Sequence, residues 1–285
     1  MAERLSDATI TAPLSAAIAS QAIVLVKRFG FAIVESAPSA LTEPAIDDRR
    51  RELHSFGNAL GTPVFQSPRR DLVEDVKDFS DLESGDDRGY RSGGELKPHS
   101  DPPTLIVLHC VQAARSGGES SLVSVASIVH RMAATDPILV DELLRPFPDW
   151  RIAGQDSAAV AGPSPRQRPV LASHGGTLSC VLYRPFIELA ADALAAPLSP
   201  EQIAALDLFE ACSFDDDLTL RFVLRPGQTL VLHNRSVLHA RTDYADWPEL
   251  GRRRHLLRMW IDAPESFPVH PDHALGDLFG SPPVL

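Results

Sequence analysis

Cysteine is scarce in this chain, and its few copies lie far apart. The three cysteines, Cys110, Cys180 and Cys212, form no C-x-x-C pair. Their spacing argues against a disulfide framework and against a cysteine-based zinc site. It is typical of buried thiols in a reducing compartment. Because the first residues also lack an apolar signal-peptide segment, we predict a cytoplasmic location.

Long hydrophobic runs and an excess of positive charge are also missing. No stretch reaches the roughly 18 uninterrupted apolar residues that a membrane-spanning helix needs. The 38 acidic residues outnumber the 27 lysines and arginines, which gives a formal net charge of -11. This balance argues against sequence-independent binding to nucleic acid or to an anionic membrane. We therefore predict a small-molecule substrate and no nucleic-acid or membrane partner, and leave homo-oligomerisation open.

The composition and patterning predict a globular α+β protein. Hydrophobic residues make up 44% of the chain and charged residues 23%, the ordinary balance for a buried core. The strand patterns lie far apart in sequence, with helix patterns before and between them, so we expect one domain over residues 1–285, with a mostly antiparallel β core flanked by helices. Helices are predicted over 14–29, 43–60 and from the capping box that begins at Ser199, and strands over 31–36, 104–111, 120–125, 218–224, 229–234 and 253–261.

A polar segment separates the first helices from the first long strand. Residues 66–97 are rich in Asp, Ser, Gly and Arg, and we expect a long loop that serves as a lid because it leads directly to His99. Tyr90 and Arg91 in this loop, and Tyr183 and Arg184 further on, are either substrate contacts or ordinary surface residues.

A histidine and an aspartate follow this loop in the sequence Pro-His-Ser-Asp-Pro. The prolines favour an extended backbone, in which His99 and Asp101 point to the same side. They would supply two of the three ligands of a facial triad, in which two histidines and a carboxylate hold iron(II) and leave positions open. His-x-Asp alone is a weak signal that also suits a polar loop. His239, after a predicted strand, is a candidate third ligand, although a lone histidine there is more often structural.

Three other histidines, His109, His233 and His255, lie within strand patterns, where a structural histidine is the commoner explanation. We therefore exclude them as ligands.

Arginines mark the last predicted strand. Period two places Arg254, Leu256, Arg258 and Trp260 on one face. If this face lines a pocket, its buried arginines need anionic partners. The planar guanidinium suits a carboxylate because it donates two parallel hydrogen bonds. The alternative is a basic edge strand that deters aggregation.

Five short motifs, in this order and spacing, resemble the taurine dioxygenase (TauD/TfdA-like) family. This family is part of the clavaminate synthase-like group of oxygenases that depend on Fe(II) and 2-oxoglutarate. The resemblance spans roughly residues 29–261. Its carriers are Pro-His-Ser-Asp (98–101), Ser-Gly-Gly-Glu-Ser (116–120), Arg-Pro-Gly-Gln (225–228), His-Asn-Arg (233–235) with His239, and Arg-Arg-His-Leu-Leu-Arg (253–258).

The resemblance implies a distorted double-stranded β-helix, or jelly roll, and assigns roles to the candidate residues. His99, Asp101 and His239 would be the metal ligands. Arg254, or Arg253 in its place, would bind the distal carboxylate of 2-oxoglutarate. Ser120, or Ser121 in its place, would hydrogen-bond the same co-substrate. Arg258 matches a position that often contacts a carboxylate of the substrate or co-substrate.

The resemblance also implies the reaction. We expect an Fe(II)- and 2-oxoglutarate-dependent dioxygenase that uses O2 to hydroxylate or desaturate a small molecule and releases succinate and CO2. The extra arginine suggests a carboxylate-bearing substrate, such as an amino acid or a biosynthetic intermediate. The segment between His239 and Arg254 is longer than in taurine dioxygenase, which argues against taurine. Asp101 occupies the position that related halogenases leave open for chloride, so halogenation is not expected.

Two alternatives have the same ligands. One is a jelly-roll protein that binds a small anion without turnover, and the other is a zinc hydrolase with a metal-bound water.

Overall fold

The computed structural model describes residues 2–38, 40–67, 69–79, 93–149 and 166–275. Within these ranges no helix has both the length and the apolar character needed to cross a membrane. The helices are α1 (Ala2–Asp7), α2 (Ala19–Phe29), α3 (Glu43–Leu60), α4 (Val125–Thr135), α5 (Pro137–Leu143), α6 (Arg184–Ala193) and α7 (Pro200–Ser213), with short 3-10 turns at Ala16–Ile18, Leu250–Arg252 and Pro271–His273.

Two mostly antiparallel sheets form the β core. The larger sheet has the strand order β1-β2-β14-β6-β17-β3, and β4 also pairs with β17. Its strands are β1 (Thr9–Thr11), β2 (Phe31–Glu35), β3 (Thr62–Val64), β4 (Glu74–Val76), β6 (Leu105–Gln112), β14 (Gln228–His233) and β17 (His255–Asp262). The smaller sheet has the order β13-β8-β15-β5, formed by β5 (Leu96–His99), β8 (Ser120–Ser124), β13 (Thr219–Phe222) and β15 (Val237–Arg241).

Three two-stranded ribbons complete the strands. They are β7 (Ser116–Gly117) with β16 (Tyr244–Ala245), β9 (Pro146–Asp149) with β10 (Arg166–Pro169), and β11 (Leu171–His174) with β12 (Thr177–Cys180).

Alternation of side chains along the strands creates three cores. On β17, Leu256 and Trp260 join a cluster with Leu122 of β8, so this core lies between the two sheets. Leu257 and Met259 point the other way and pack with the helices α2 and α3. A third core packs α4 to α7 against the outer side of the smaller sheet. The layers therefore run helices, large sheet, small sheet, helices, as a mixed α+β core requires.

Most predicted elements are present, with local differences. Helix α3 has the predicted bounds, and Ser199 caps α7 with a full capping box to Gln202. The helix predicted over 14–29 is instead a 3-10 turn followed by α2, which ends at Gly30 in a left-handed conformation (φ 84°). The interpretation of 66–97 as one loop is wrong where β4 and β5 form. Residues 80–92, including Tyr90 and Arg91, lie outside the described residues.

Candidate metal and co-substrate site

The smaller sheet brings together the two histidines that the sequence separates. His99 is the last residue of β5, and antiparallel pairing places it directly opposite His239 on β15. Their rings lie 4.3 Å apart, centroid to centroid. Asp101 follows β5 by two residues. Among the described residues, His99, Asp101 and His239 form a potential ligand group whose ligand atoms all lie within 4.8 Å of one another.

The orientation and charge of these groups fit a divalent metal. His99 Nδ1 lies 2.8 Å from the Lys97 carbonyl oxygen, a contact that directs its proton there and leaves Nε2 as an electron-pair donor. Nε2 of His99 is 3.8 Å from one Asp101 oxygen, and Nε2 of His239 is 4.0 Å from the other. Burial, together with the neighbouring His99, lowers the pKa of His239 to about 3, so the His239 imidazole is neutral at pH 7. Neutral imidazoles and a carboxylate are the donor set of the 2-His-1-carboxylate triad.

Asp101 stays ionised despite its burial. Burial raises the pKa of its carboxyl, but the charge of Arg258 and the neighbouring His99 and His239 together lower it by more, so the net pKa lies below the ordinary value. The carboxylate is therefore the form available to a metal at neutral pH.

Two side chains just before β15 fix the backbone that carries Asp101. Asn234 accepts a hydrogen bond from the Asp101 amide (3.0 Å) and donates to the carbonyl oxygens of Asp101 (2.5 Å) and Pro103 (2.7 Å). Arg235 donates to the carbonyls of Asp101 (2.8 Å) and Pro102. Both side chains are almost completely buried. The segment that leads to one ligand thus sets the position of another.

A second buried cation lies at the start of β17. Arg254 is 5% exposed, and its Cζ lies 5.0 Å from the centre of the Tyr244 ring. Its Nη1 is buried and has no hydrogen-bond partner in the described part of the chain. Burial lowers the pKa of Arg254, but the guanidinium remains charged at neutral pH. A buried, incompletely bonded guanidinium is suited to an anionic ligand.

Two glycines lie beside Tyr244 and Arg254. Gly117 and Gly118 have φ values of 71° and 68°, a region that favours glycine. A Cβ on Gly117 would collide with the carbonyl oxygen of Asp243, and one on Gly118 would lie 3.5 Å from Arg254 Nε. The glycine pair therefore lets β7 approach β16 and leaves room beside the guanidinium.

The register of the smaller sheet separates the two candidate serines. Ser120 lies opposite Arg241, two residues from His239 on β15, whereas Ser121 lies opposite Ala240. Opposite residues share a face of an antiparallel sheet, and alternate residues along a strand share it as well. Ser120 is therefore on the same face as His239, and Ser121 is on the other.

Arg258 contacts the triad directly. Its Nη1 lies 3.5 Å from Asp101 Oδ2, and its Cζ lies 5.2 Å from the centre of the Trp260 ring. Three members of the face predicted for the last strand are present: Leu256 and Trp260 line the core between the sheets, and Arg258 reaches the triad from there. The fourth, Arg254, precedes β17, whose pairing with β6 shifts register between His255 and Leu256.

Tyr183 and Arg184 have different surroundings. Tyr183 is 36% exposed, and its ring makes an edge contact with that of His99 at 5.8 Å between centroids. Ser100 holds this segment by exchanging hydrogen bonds with the Leu182 backbone. Arg184 instead forms ion pairs with Glu188 of its own helix, α6, and with Asp207 and Glu210 of α7. Tyr183 therefore borders the site, whereas Arg184 ties α6 to α7.

The excluded histidines each have a structural partner. His109 Nδ1 lies 2.8 Å from Thr229 Oγ1, His233 Nδ1 lies 2.6 Å from Ser236 Oγ, and His255 Nε2 lies 2.5 Å from Asp75 Oδ1. None of the three belongs to the ligand group at Asp101.

The structure also assigns roles to residues that had none in the sequence analysis. Asn234 and Arg235 lie inside a motif, but only the fold shows that they bind the Asp101 backbone. Gln66 and Glu74, which contact Arg258, belong to the segment interpreted as a loop and carry no motif.

A protein-family model described as "Taurine catabolism dioxygenase TauD, TfdA family" matches residues 2–260. FR-33289 synthase of Streptomyces rubellomurinus is 30% identical over 244 residues, which cover 82% of this chain and 69% of that protein. Uridine-5'-phosphate dioxygenase of a Streptomyces species is 29% identical over 251 residues, or 82% of this chain and 86% of that protein.

Solved structures show the same fold. Asparagine oxygenase in complex with Fe(II), 3-hydroxyasparagine and succinate superposes with a TM-score of 0.65 at 19% identity, over 91% of this chain and 84% of that chain. The non-haem iron oxygenase OrfP with Fe, succinate and (3S)-hydroxy-L-Arg gives 0.61 at 15% identity, over 91% and 85%. These likenesses confirm the predicted jelly-roll core. Together with the family model, which spans nearly the whole chain, they agree with the motif resemblance: the chain belongs to the TauD/TfdA family of dioxygenases.

Proposed function

We propose that this chain is an iron(II)- and 2-oxoglutarate-dependent dioxygenase that hydroxylates a small polar molecule of the amino-acid kind. The family supplies the enzyme class. The observation that carries the proposal for the site is the combination of the His99–Asp101–His239 triad with a buried guanidinium, Arg254, whose Nη1 lacks a partner among the described residues.

Each residue has a role in this proposal. His99, Asp101 and His239 hold the metal on one face and leave other positions open to ligands. Arg254 binds the distal carboxylate of 2-oxoglutarate through its guanidinium fork, and Ser120 adds a hydrogen bond. The bound iron supplies the chemistry by which O2 converts 2-oxoglutarate into succinate and CO2 while one oxygen atom enters a C–H bond of the substrate.

The substrate class rests on similarity. The structures that resemble this chain hold hydroxylated asparagine and arginine, and a curated relative is named for uridine 5'-phosphate. All three of these molecules are small and polar. Tyr183, which borders the metal triad and keeps part of its ring exposed, is placed to contact such a substrate.

The first test separates this enzyme from the two alternatives. Anaerobic addition of iron(II) and 2-oxoglutarate should produce a weak visible charge-transfer band. In air, the enzyme should consume O2 and form succinate when an added amino-acid pool contains its substrate. A zinc hydrolase would need neither O2 nor 2-oxoglutarate. A protein that only binds anions would form no succinate.

Histidine variants test the ligand assignment. His99→Ala should abolish the band and succinate formation because it removes one of three metal ligands. His109→Ala is the matched control, since this histidine contacts Thr229 and not the triad. The ligand assignment is wrong if His109→Ala loses the band and His99→Ala retains it.

The single-domain organisation, the lid function of residues 66–97 and the cytoplasmic location remain predictions.

A further inference from the structure

Every nitrogen of the Arg258 guanidinium faces an oxygen atom. Nε donates to Gln66 Oε1 at 2.8 Å. Nη2 lies 3.5 Å from Glu74 Oε2, and Nη1 lies 3.5 Å from Asp101 Oδ2. Arg258, Glu74 and Gln66 are all buried, with 7%, 8% and 4% exposure. The side chain thus joins a candidate metal ligand to two residues of the adjacent segment.

The backbone holds these partners in place. Strand β4 pairs with β17 so that Glu74 lies directly opposite Arg258, on the same face of the sheet. The Gln66 amide nitrogen donates to the carbonyl oxygens of Arg258 (2.9 Å) and Leu72 (3.2 Å), which fixes the side-chain oxygen that receives Arg258 Nε. The guanidinium is therefore oriented before any ligand binds.

The partners around Arg258 leave little room for an additional anion. Glu74, Asp101 and Gln66 already provide oxygen partners for the three nitrogens of this guanidinium. Arg254 differs because its buried Nη1 has no acceptor among the described residues. A carboxylate from a small molecule would have to compete with these partners at Arg258, whereas at Arg254 it would supply a missing acceptor.

We propose that Arg258 is a positioning residue for the metal-ligand carboxylate of Asp101, and that it does not bind a carboxylate of the substrate. Gln66 and Glu74 orient its guanidinium, which holds Oδ2 of Asp101 and leaves Oδ1 directed toward His99. This inference rests on the proposed function only in taking Asp101 as a metal ligand. It removes the second arginine as a reason to expect a carboxylate on the substrate.

Metal binding without turnover tests this role. Iron(II) affinity is measured anaerobically, without 2-oxoglutarate or substrate, for the wild type, Arg258→Lys and Gln66→Leu. Mutation of a residue that hydrogen-bonds a metal ligand commonly changes metal affinity by about 10- to 100-fold. We expect Arg258→Lys to weaken iron(II) binding by about tenfold or more, since the single nitrogen of lysine cannot reach three oxygens that face three different guanidinium nitrogens. Gln66→Leu should weaken it in the same direction.

Arg254→Lys is the matched control. It changes the neighbouring buried arginine and should leave iron(II) affinity within about twofold of the wild type. Circular dichroism and thermal unfolding identify any variant that fails to fold, and Gln66→Leu provides a second route to the same readout without altering Arg258 itself.

The possible outcomes distinguish failure of the positioning role from failure of the proposed function. If both variants fold and bind iron(II) as tightly as the wild type, the positioning role is wrong. A variant with normal iron(II) affinity that loses only substrate affinity would instead identify Arg258 as a substrate contact. A wild-type chain that binds no iron(II) would contradict the proposed function, whereas iron(II) binding by the wild type with unaffected variants contradicts only this inference.

Discussion

At the scale of single residues, the surroundings of a charged group decide what it can bind. Arg254 and Arg258 are four residues apart, and both are buried. Arg258 has oxygen partners around its whole guanidinium, whereas Arg254 faces an aromatic ring, a glycine and, at Nη1, no acceptor in the described part of the chain. The two arginines are alike in sequence and differ in the contacts that the fold gives them.

Replacing Arg254 tests the co-substrate subsite. Arg254→Gln removes the charge and the planar fork, and hydrogen bonds to charged groups are worth about 1.5–3 kcal/mol each. We expect the dissociation constant of 2-oxoglutarate, measured from the anaerobic visible band, to rise by about tenfold or more. Arg252→Gln is the control because Arg252 is exposed and lies over the Trp247 ring. A larger effect from Arg253→Gln would show that the neighbouring arginine is the clamp.

At the scale of elements, strand pairing brings the site residues together. The β5–β15 pairing sets His99 against His239, and the β4–β17 pairing sets Glu74 against Arg258. The segment between β14 and β15 contributes Asn234 and Arg235, which hold the loop after β5. Each ligand is thus positioned by an element that lies far from it in the sequence.

Asn234 tests how strongly one side chain holds that loop. Asn234→Ala removes three hydrogen bonds to the 101–103 backbone and leaves buried polar groups without partners. At about 1 kcal/mol for each net hydrogen bond, plus desolvation, we expect a loss of about 2–4 kcal/mol in the free energy of unfolding. Iron(II) affinity should fall as well, since Asp101 loses its fixed backbone.

Asn58→Ala is the control for that measurement. Asn58 is exposed on α3, and its side chain hydrogen-bonds that of His54, one turn away on the same helix. Its replacement should change stability by less than about 0.5 kcal/mol. Equal unfolding curves for the wild type and Asn234→Ala would show that the loop is held by other contacts.

Local signals explain which elements could be predicted. Helix α3 has a proline near its first residue and a glycine after its last, and the capping box at Ser199 has its own sequence signature. Strand β4 has only three residues, two of them acidic, and exists because it pairs with β17. The roles of Gln66 and Glu74 could not be predicted from the sequence either, since their partner Arg258 lies more than 180 positions away.

At the scale of the whole molecule, charge and burial are separated by layer. The chain has a net charge of -11, yet Arg235, Arg241, Arg254 and Arg258 are all at most 7% exposed. An acidic protein can therefore still present a buried cation, Arg254, to an anionic co-substrate.

Buried neutral histidines make the stability of the molecule sensitive to acid. Burial lowers the pKa of His109 to about 3, of His233 to about 4 and of His273 to about 3. In the unfolded chain each titrates near 6.5. Below about pH 6.5 the unfolded state therefore binds protons that the native state cannot, and the free energy of unfolding falls as pH falls, until the folded pKa values are reached.

Urea unfolding of the metal-free protein at pH 7.5, 6 and 5 measures this effect. Each histidine contributes a slope of up to about 1.4 kcal/mol per pH unit in this window. As pH falls, the protein also loses negative charge, and the weaker repulsion raises the free energy of unfolding. The effect of one histidine is therefore isolated by comparing the wild type with His109→Gln. The variant keeps a polar group near Thr229 but cannot titrate, and its stability should fall less steeply between pH 6 and pH 5. Parallel curves for the two proteins would mean that His109 is protonated in the folded state, contrary to its burial between β14 and β17.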